Sequence, residues 1–362
     1  MFTQILADRV LRSSLVDLLT GPHGVDRYTE LVTPTWSLGD ARAKVVSVRR
    51  QTPRSITLQL APNRAFQGFT AGQHINLTVE IDGRRRTRCY SPASGEGAAL
   101  IELTIGLHDG GLVSTYLHRH ARPGMVLGLD SVGGDFVLTA KRPRKILFVS
   151  GGSGITPVMS MLRTLTAEGF DGEIAFVHYA RSPGEACYRR ELARMAGVRV
   201  LHGFTRSTEA GGLNGHFDAD HLAAAMPSPD AVYVCGPPSL ADAVRKHCDV
   251  VSTEAFVPPV LEVPAQAHVD GRSDKPRSAG GQILFSDSRV DRTDDGRSLL
   301  EQADAAGLTP QSGCRIGICH SCTRRKTRGA VKNLITGTVS TSDEEDVQIC
   351  VSVPVGDVEL AL

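Results

Sequence analysis

The sequence predicts a multidomain chain: an antiparallel β-barrel, then an α/β domain built on a parallel sheet, then a small α+β domain. Three observations carry this expectation. Residues 41–139 alternate apolar and polar positions with period two between regularly spaced turns. From residue 144 onward, short apolar strands alternate with helix-like stretches. A Pro- and Gly-rich segment, 257–281, then sets apart a final stretch, 282–362, that holds a cysteine cluster. At 362 residues the chain has the length for two or three separate cores.

Residues 1–40 precede the barrel as an extension. Phe2, Ile5, Leu6, Val10, Leu15, Leu18 and Leu19 fall at helical spacing, and Asp8, Arg9, Arg12 and Asp17 interrupt any continuous apolar run. The pattern predicts an amphipathic helix, laid on the protein's own surface or used to dock a partner or a membrane surface, and not a secretory signal. No run approaches the roughly 18 to 20 apolar residues that span a bilayer, so a soluble, cytoplasmic protein is expected. The barrel strands read as Val45–Val48, Ile56–Leu60, Ile75–Ile81 and Leu100–Ile105. In the α/β part, strands at Lys145–Ser150, Ile174–Tyr179 and Ala231–Cys235 each precede a helix-like segment, the first of them Pro157 to Glu168. In 282–362 the pattern gives Ile283-Leu284-Phe285, a helix at Ser298 to Ala306 and a last strand at Val351 to Leu360.

Lys plus Arg (40) and Asp plus Glu (39) almost cancel, giving a net charge of +1. Nothing global therefore points to nucleic acid or to an anionic membrane surface. The 37 glycines and eight cysteines are more informative, because Gly lets backbone approach a ligand and cysteine spacing separates disulfides from metal sites.

Cys314, Cys319 and Cys322 form C-x4-C-x2-C, and Cys350 follows after 27 further residues. This is the spacing of a plant-type 2Fe-2S centre, in which a tight loop supplies three thiolates and a neighbouring strand the fourth. A four-cysteine zinc site usually uses C-x2-C pairs, and disulfides do not suit a chain without a secretory signal. The run Ser312-Gly313-Cys314-Arg315-Ile316-Gly317-Ile318-Cys319-His320-Ser321-Cys322 resembles the cluster loop of plant-type ferredoxins, which implies a β-grasp fold for 282–362. His320 departs from the Gly or Ala common there and reads as a surface residue at the rim of the cluster. Cys89, Cys187 and Cys248 lack ligand spacing and read as small packed residues.

Two short motifs mark the barrel: Arg88-Cys89-Tyr90-Ser91, expected to follow a strand, and Gly110-Gly111-Leu112-Val113-Ser114. In this order and spacing they resemble the R-x-Y-S and G-x-V-S motifs of the ferredoxin-NADP reductase superfamily, which binds FAD. The resemblance implies that Arg88 neutralises the pyrophosphate, Tyr90 packs on the ring system and Ser91 contacts the flavin N5 edge. Gly111, Leu112, Val113 and Ser114 would offer backbone N–H groups to phosphate at a helix start. Downstream, Gly151-Gly152-Ser153-Gly154-Ile155-Thr156-Pro157 lies between a strand and a helix and matches the superfamily's NAD(P)H motif, with Gly151, Gly152, Ser153, Gly154 and Thr156 as pyrophosphate contacts. Cys235, Gly236 and Pro237 resemble the C-G-P motif beside the nicotinamide. Arg181, Ser182 and Arg189 suit the 2′-phosphate of NADPH, while Glu185 keeps NADH open. Glu254 and Phe256, just before the linker, join Ser91 and Cys235 as candidates at the hydride-transfer centre, with Phe256 shielding the flavin face or simply packing at a domain edge.

The resemblance thus implies an FAD-binding barrel over 41–139, an NAD(P)-binding domain over 140–256 and a 2Fe-2S ferredoxin domain over 282–362. The implied function is transfer of electrons from NADPH through FAD and the cluster, near about −400 mV, to an oxygen-activating partner. The extension, with Pro34-Thr35-Trp36-Ser37, resembles leaders of bacterial reductases that serve membrane fatty-acid desaturases. It ranks a desaturase or related di-iron hydroxylase first, reached by peripheral association at the membrane, and a soluble ring or steroid hydroxylase second. A redox-sensing regulatory protein is the alternative of another class.

Overall fold

The computed structural model describes residues 35, 37, 39–207, 212–254, 281–313, 315, 317 and 320–362. The amphipathic pattern of residues 2–19, Pro34, Trp36 and nearly all of the Pro- and Gly-rich segment lie outside the described residues. The chain divides into two compact units, Met1–Phe256 and Val257–Leu362.

The first unit opens with a six-stranded antiparallel sheet: β1 (Arg42–Thr52), β2 (Ser55–Pro62), β3 (His74–Ile81), β4 (Arg84–Tyr90), β5 (Ile101–Gly106) and β6 (Val126–Gly133), in the order β4-β3-β6-β1-β2-β5. Period-two alternation places Val45, Leu58, Leu60, Ile75, Leu77, Leu103 and Leu127 in one core, each fully buried aliphatic side chain contributing about 1.5–3 kcal/mol. Helix α1 (Leu112–His120) adds Val113 and Leu117 to that core. An isolated bridge, Pro92 to Leu103, ties the segment after β4 to β5, reinforced by Ala93 N–H donating to Glu102 O at 2.7 Å. Sequence reasoning expected Arg88–Ser91 to follow a strand, but Arg88, Cys89 and Tyr90 lie inside β4. The basic run Arg84-Arg85-Arg86 disguises this strand, and an edge position explains it, because charged side chains there discourage pairing with another chain.

The second sheet is parallel, β10-β9-β8-β7-β11-β12, from β7 (Lys145–Gly151), β8 (Glu173–Ala180), β9 (Val198–Phe204), β10 (Leu213–Asn214), β11 (Ala231–Cys235) and β12 (Val251–Glu254). The chain runs outward from β7 to β10 and then returns to place β11 on the other side of β7. Strand order therefore reverses between β7 and β11, where ligands of such sheets bind. Helix α2 (Ile155–Ala167) covers one face; α3 (Arg189–Leu192), α4 (Ala219–Ala225) and α5 (Pro238–Arg245) complete the connections.

α2 also fastens the two sheets of this unit together. Ser160 Oγ donates to Ser94 O at 2.7 Å, and Glu96 N–H donates to Thr164 Oγ1 at 2.9 Å. The Arg163 guanidinium meets Glu191 through two nitrogens at 2.8 and 2.7 Å, Glu102 at 3.0 Å and Ala93 O at 2.6 Å. The helix that follows the glycine turn is thereby held against the segment that follows Ser91.

The second unit holds a mixed sheet, β14-β13-β18-β15-β16 with β17 also on β15. Its strands are β13 (Gln282–Phe285), β14 (Val290–Thr293), β15 (Thr323–Asn333), β16 (Val339–Ser340), β17 (Glu345–Gln348) and β18 (Ser352–Leu360), with β13 and β18 parallel and the other pairs antiparallel. Helix α6 (Leu299–Ala305) starts at a capping box, Ser298 with Glu301, and buries Leu299, Leu300 and Ala303 in the core. Lys326 on β15 is wholly buried; its ammonium donates to Gly329 O at 2.7 Å and to Ser342 O, and lies 3.7 Å from Glu345.

Candidate functional site at the strand switch point

At the switch point, two turns pack backbone to backbone. A Cβ on Gly154 would meet Cys235 O at 2.2 Å, and one on Gly151 would meet Pro237 Cδ at 2.9 Å, so the contact requires glycine at both positions. Gly152 takes φ +54°, which turns the chain into a 3-10 turn and then α2. Thr156 Oγ1 donates back to Ser153 O at 3.2 Å. No side chain caps the start of α2; Ile155 N–H turns back on Gly152 O and Ser153 O, and Pro157 carries no N–H.

A cleft of about 490 Å³ opens beside this turn. Gly151, Gly152, Ser153, Arg181 and Pro237 line it, as do Arg54, His108 and Asp109 from the antiparallel sheet side. His108 N–H is bonded by Ser114 Oγ at 3.3 Å, and Ser114 also donates to Gly111 O at 3.2 Å, which ties the Gly111–Ser114 turn to the rim of the cleft. Leu112 and Val113 open α1. Of the residues expected at a coenzyme phosphate, Arg181 is exposed in the cleft, whereas Ser182 is not among its lining. Arg189 is diverted, its guanidinium lying over the Phe204 ring at 5.9 Å from the centroid. Arg206, which sequence reasoning missed, lines the cleft instead, and its N–H donates to Arg181 O at 2.9 Å. The signal was available in the position of Arg206 just beyond β9, at the same sheet end as Arg181.

Behind the cleft lies a buried polar group of residues. Ser91 is 3% exposed, and its hydroxyl has no hydrogen-bond partner among the described residues. Cys235 is fully buried and sits opposite Glu254 in the β11–β12 register; burial first, and then Glu254, pushes its thiol well above the usual range. Glu254 lies 3.8 Å from His74 Nδ1, beyond hydrogen-bond length, and burial raises its carboxyl against the opposing effect of His74. Phe256 lies outside the described residues. Arg88 donates to Thr87 O at 2.7 Å, and Tyr90 is half-buried against the core, its phenol pushed up by burial. Sequence reasoning missed His74, which begins a strand of alternating apolar and polar residues, and also a buried row in which Ser150 Oγ meets His178 Nδ1 at 2.8 Å.

In the second unit, Cys322 and Cys350 are buried, 2% and 7% exposed. The turn between β17 and β18 brings them near one another, with Ile349 N–H directed to Cys322 O at 3.4 Å. Gly317 takes φ +83°, where a Cβ would strike Ile335 Cδ1 at 2.5 Å, and its carbonyl accepts from Gln348 Nε2 at 2.8 Å. Arg315 and His320 also take left-handed φ, at 62° and 55°. Cys314 and Cys319 lie outside the described residues, and among the described residues no group of three His, Cys, Asp or Glu is arranged to hold a metal ion.

Residues 43–137 match the family described as "Oxidoreductase FAD-binding domain", and residues 148–246 match "Oxidoreductase NAD-binding domain". The chain is 32% identical to a NADPH oxidoreductase of Mycobacterium tuberculosis (strain ATCC 25618 / H37Rv), across 94% of this chain and 89% of the relative. It is 30% identical to the glycine betaine monooxygenase reductase subunit of Pseudomonas aeruginosa (strain UCBPP-PA14), across 91% of this chain and 97% of that protein. Among solved structures, phthalate dioxygenase reductase, described as a modular structure for electron transfer from pyridine nucleotides to [2Fe-2S], shares the fold. Its TM-score is 0.60 at 23% identity, over 89% of this chain and 97% of that one. With a glycine turn packed at the switch point of one sheet and fastened to the other, the chain belongs to the ferredoxin-NADP reductase superfamily, as an NAD(P)H-dependent flavin oxidoreductase.

Proposed function

We propose that the chain draws electrons from NADPH and delivers them singly, through FAD and a 2Fe-2S centre in residues 282–362, to a partner oxygenase. The observation that carries this reading is the fastening of Ser91's segment to α2. It puts an unpartnered buried hydroxyl on the antiparallel sheet next to the helix that opens at the coenzyme turn. That orphaned hydroxyl fits a flavin edge, and the Gly151–Gly154 turn, which side chains would fill, fits a pyrophosphate.

In this reading, residues 41–139 hold FAD: Arg88 compensates the pyrophosphate charge, Tyr90 packs on the rings, Ser91 faces the reactive edge, and Gly111 to Ser114 present N–H groups to phosphate. Residues 140–256 hold NADPH through Gly151, Gly152, Ser153, Gly154 and Thr156, with Arg181 and Ser182 toward the 2′-phosphate. Arg206 replaces Arg189 as the second cation there, since Arg189 is occupied with Phe204. Cys235, Gly236 and Pro237 border the nicotinamide, Glu254 stands beside Cys235, and Phe256 is kept as the candidate shield of the flavin face. Cys314, Cys319, Cys322 and Cys350 would ligate the cluster. The two described cysteines fit, because both are buried in one core, and Gly317, beside Val351, takes a conformation that leaves no room for a side chain. When bound, a flavin accepts a hydride and returns two electrons separately, and a 2Fe-2S centre takes them one at a time.

The acceptor assigned first from sequence, a membrane fatty-acid desaturase, gives way to an oxygenase. That ranking rested on the extension before residue 41, whereas the relatives include the reductase subunit of a monooxygenase, aligned over 91% of the chain. Among the described residues no helix is long and apolar enough to cross a membrane.

The experiment is NADPH turnover by the purified full chain with ferricyanide and cytochrome c, followed by coupling to candidate oxygenases and desaturases. Catalytic reduction of both dyes and product formation with an oxygenase are expected. Reduction that stops at one equivalent would sink the reductase reading in favour of a redox sensor, and coupling only to a desaturase would reverse the choice of acceptor.

A further inference from the structure

His74 and Glu254 come from different sheets of the first unit and meet inside it. His74 opens β3, Glu254 closes β12, and their side chains are 3% and 8% exposed. The imidazole Nδ1 and the second carboxylate oxygen, Oε2, have no hydrogen-bond partner among the described residues, and Ser91 Oγ shares that condition. Three unpartnered buried polar atoms are costly unless something satisfies them. Their positions are linked by the strand register. Ile75 pairs with Tyr90 at the end of the β3–β4 ladder, so His74 and Ser91 each follow one residue beyond that last pair. On the other side, a Cβ at Gly134 would lie 3.0 Å from His74 Nδ1 and 3.8 Å from Glu254 Oε1, so the glycine keeps the space over the pair open.

We propose that His74 and Glu254 form one proton-holding pair for the reaction centre, with His74 positioning the carboxyl and carrying a proton between Ser91 and Glu254. The proposal rests on the reading of Ser91 as the flavin contact. The chemistry needs such a station. A hydride brings one proton and two electrons, and the electrons leave singly, so each turnover leaves one proton to be returned to water. Ser91 accepts that proton while donating its own to the His74 ring. The ring passes a proton to the Glu254 carboxylate, and the carboxyl releases it to solvent, so that no net charge accumulates. Other ionisable groups facing the pair are few. From β11 comes Cys235, and from β4 comes Cys89, whose thiol is engaged with Asn76 Oδ1 at 2.8 Å. Arg88 and Tyr90 fall on the opposite face of β4 by strand alternation. Gly133 and Gly134 bring no charge, and Asp135 after them is exposed.

The test has two arms on the full chain. In the first, the Glu254 carboxyl is titrated by carbon NMR on glutamate-labelled protein and assigned with Glu254→Gln. Replacing the facing imidazole in His74→Gln should raise the proton affinity of Glu254 about tenfold. An unchanged titration overturns the pair, and this arm needs no bound cofactor. In the second, the pH profile of flavin reoxidation after NADPH reduction is compared in wild type, His74→Gln, Glu254→Gln and the double variant. Matching displacement in both single variants, with no further change in the double, is expected. A wild-type profile in His74→Gln overturns the proton-carrying role. His74→Asn, shorter but polar, repeats both arms if the Gln variant fails to fold. A wild-type chain that neither binds FAD nor accepts electrons from NADPH overturns the reductase reading and the use of the proton with it, while the carboxyl titration still decides the pair.

Discussion

His178 on β8 is wholly buried, bonded to Ser150 on β7 and close to His202 on β9, with ring centroids 6.2 Å apart. Burial, and then His202, pushes its pKa down to about 3. The unfolded ring titrates near its ordinary value, about 6.5. The folded state thus holds the ring neutral, and the stability this contributes is full above about pH 6.5 and is lost as pH falls toward 3. The expected slope is about 1.4 kcal/mol per pH unit within that window. Urea midpoints for wild type and His178→Gln at pH 7, 5.5 and 4.5 should converge as pH falls; parallel curves would contradict this. Arg181 makes a different kind of prediction, since it stands exposed in the cleft with no salt bridge among the described residues. Arg181→Ala should raise KM for NADPH about tenfold with kcat unchanged, and leave KM for NADH nearly unaltered. Equal effects on both coenzymes would remove Arg181 from the phosphate site. Residues such as Arg181 and Cys235 were legible because each adjoins a recognisable strand end. His74 was not, because the groups that give it meaning, Ser91 and Glu254, arrive only through tertiary structure.

Elements were legible where apolar alternation was strong and illegible where charge or glycine broke it. The strands at Ile75–Ile81 and Ala231–Cys235 announce themselves, and the capped helix after Ser298 starts where the sequence places it. By contrast, β4 reads RRRTRCY and β6 VLGLDSVG, in which charge, Gly and Asp mask the strand signal. Pairing with their neighbours decides their state. The turn before α2 shows the converse: Gly154 was named from its motif, and the structure supplies the reason. Gly154→Ala would drive a Cβ into Cys235 O, fixed backbone that cannot swing aside. A loss of about 1–3 kcal/mol in stability and a sharp fall in NADPH-driven flavin reduction are expected, read by denaturant midpoint and stopped-flow absorbance. Retention of wild-type stability would mean that β11 gives way at little cost.

Across the whole molecule, the division after Phe256 separates coenzyme chemistry from the cysteine unit, each with its own core. On the proposed reading, loss of a cluster ligand should therefore be local. Cys350→Ser should abolish cytochrome c reduction and spare ferricyanide reduction by NADPH; equal loss of both would contradict the electron order. From composition, the sequence reads 257–281 as a linker, a Pro- and Gly-rich stretch without apolar periodicity. It could not foretell Lys326, whose long aliphatic stem resembles any surface lysine until β15 and the Ser342 carbonyl enclose it. Lys44, Lys141, Lys246 and Lys332 are exposed and meet an acylating reagent at once. Lys326 meets it only when the third sheet parts, so the rate at which that one amine is acylated is a clock for the opening of the cysteine unit.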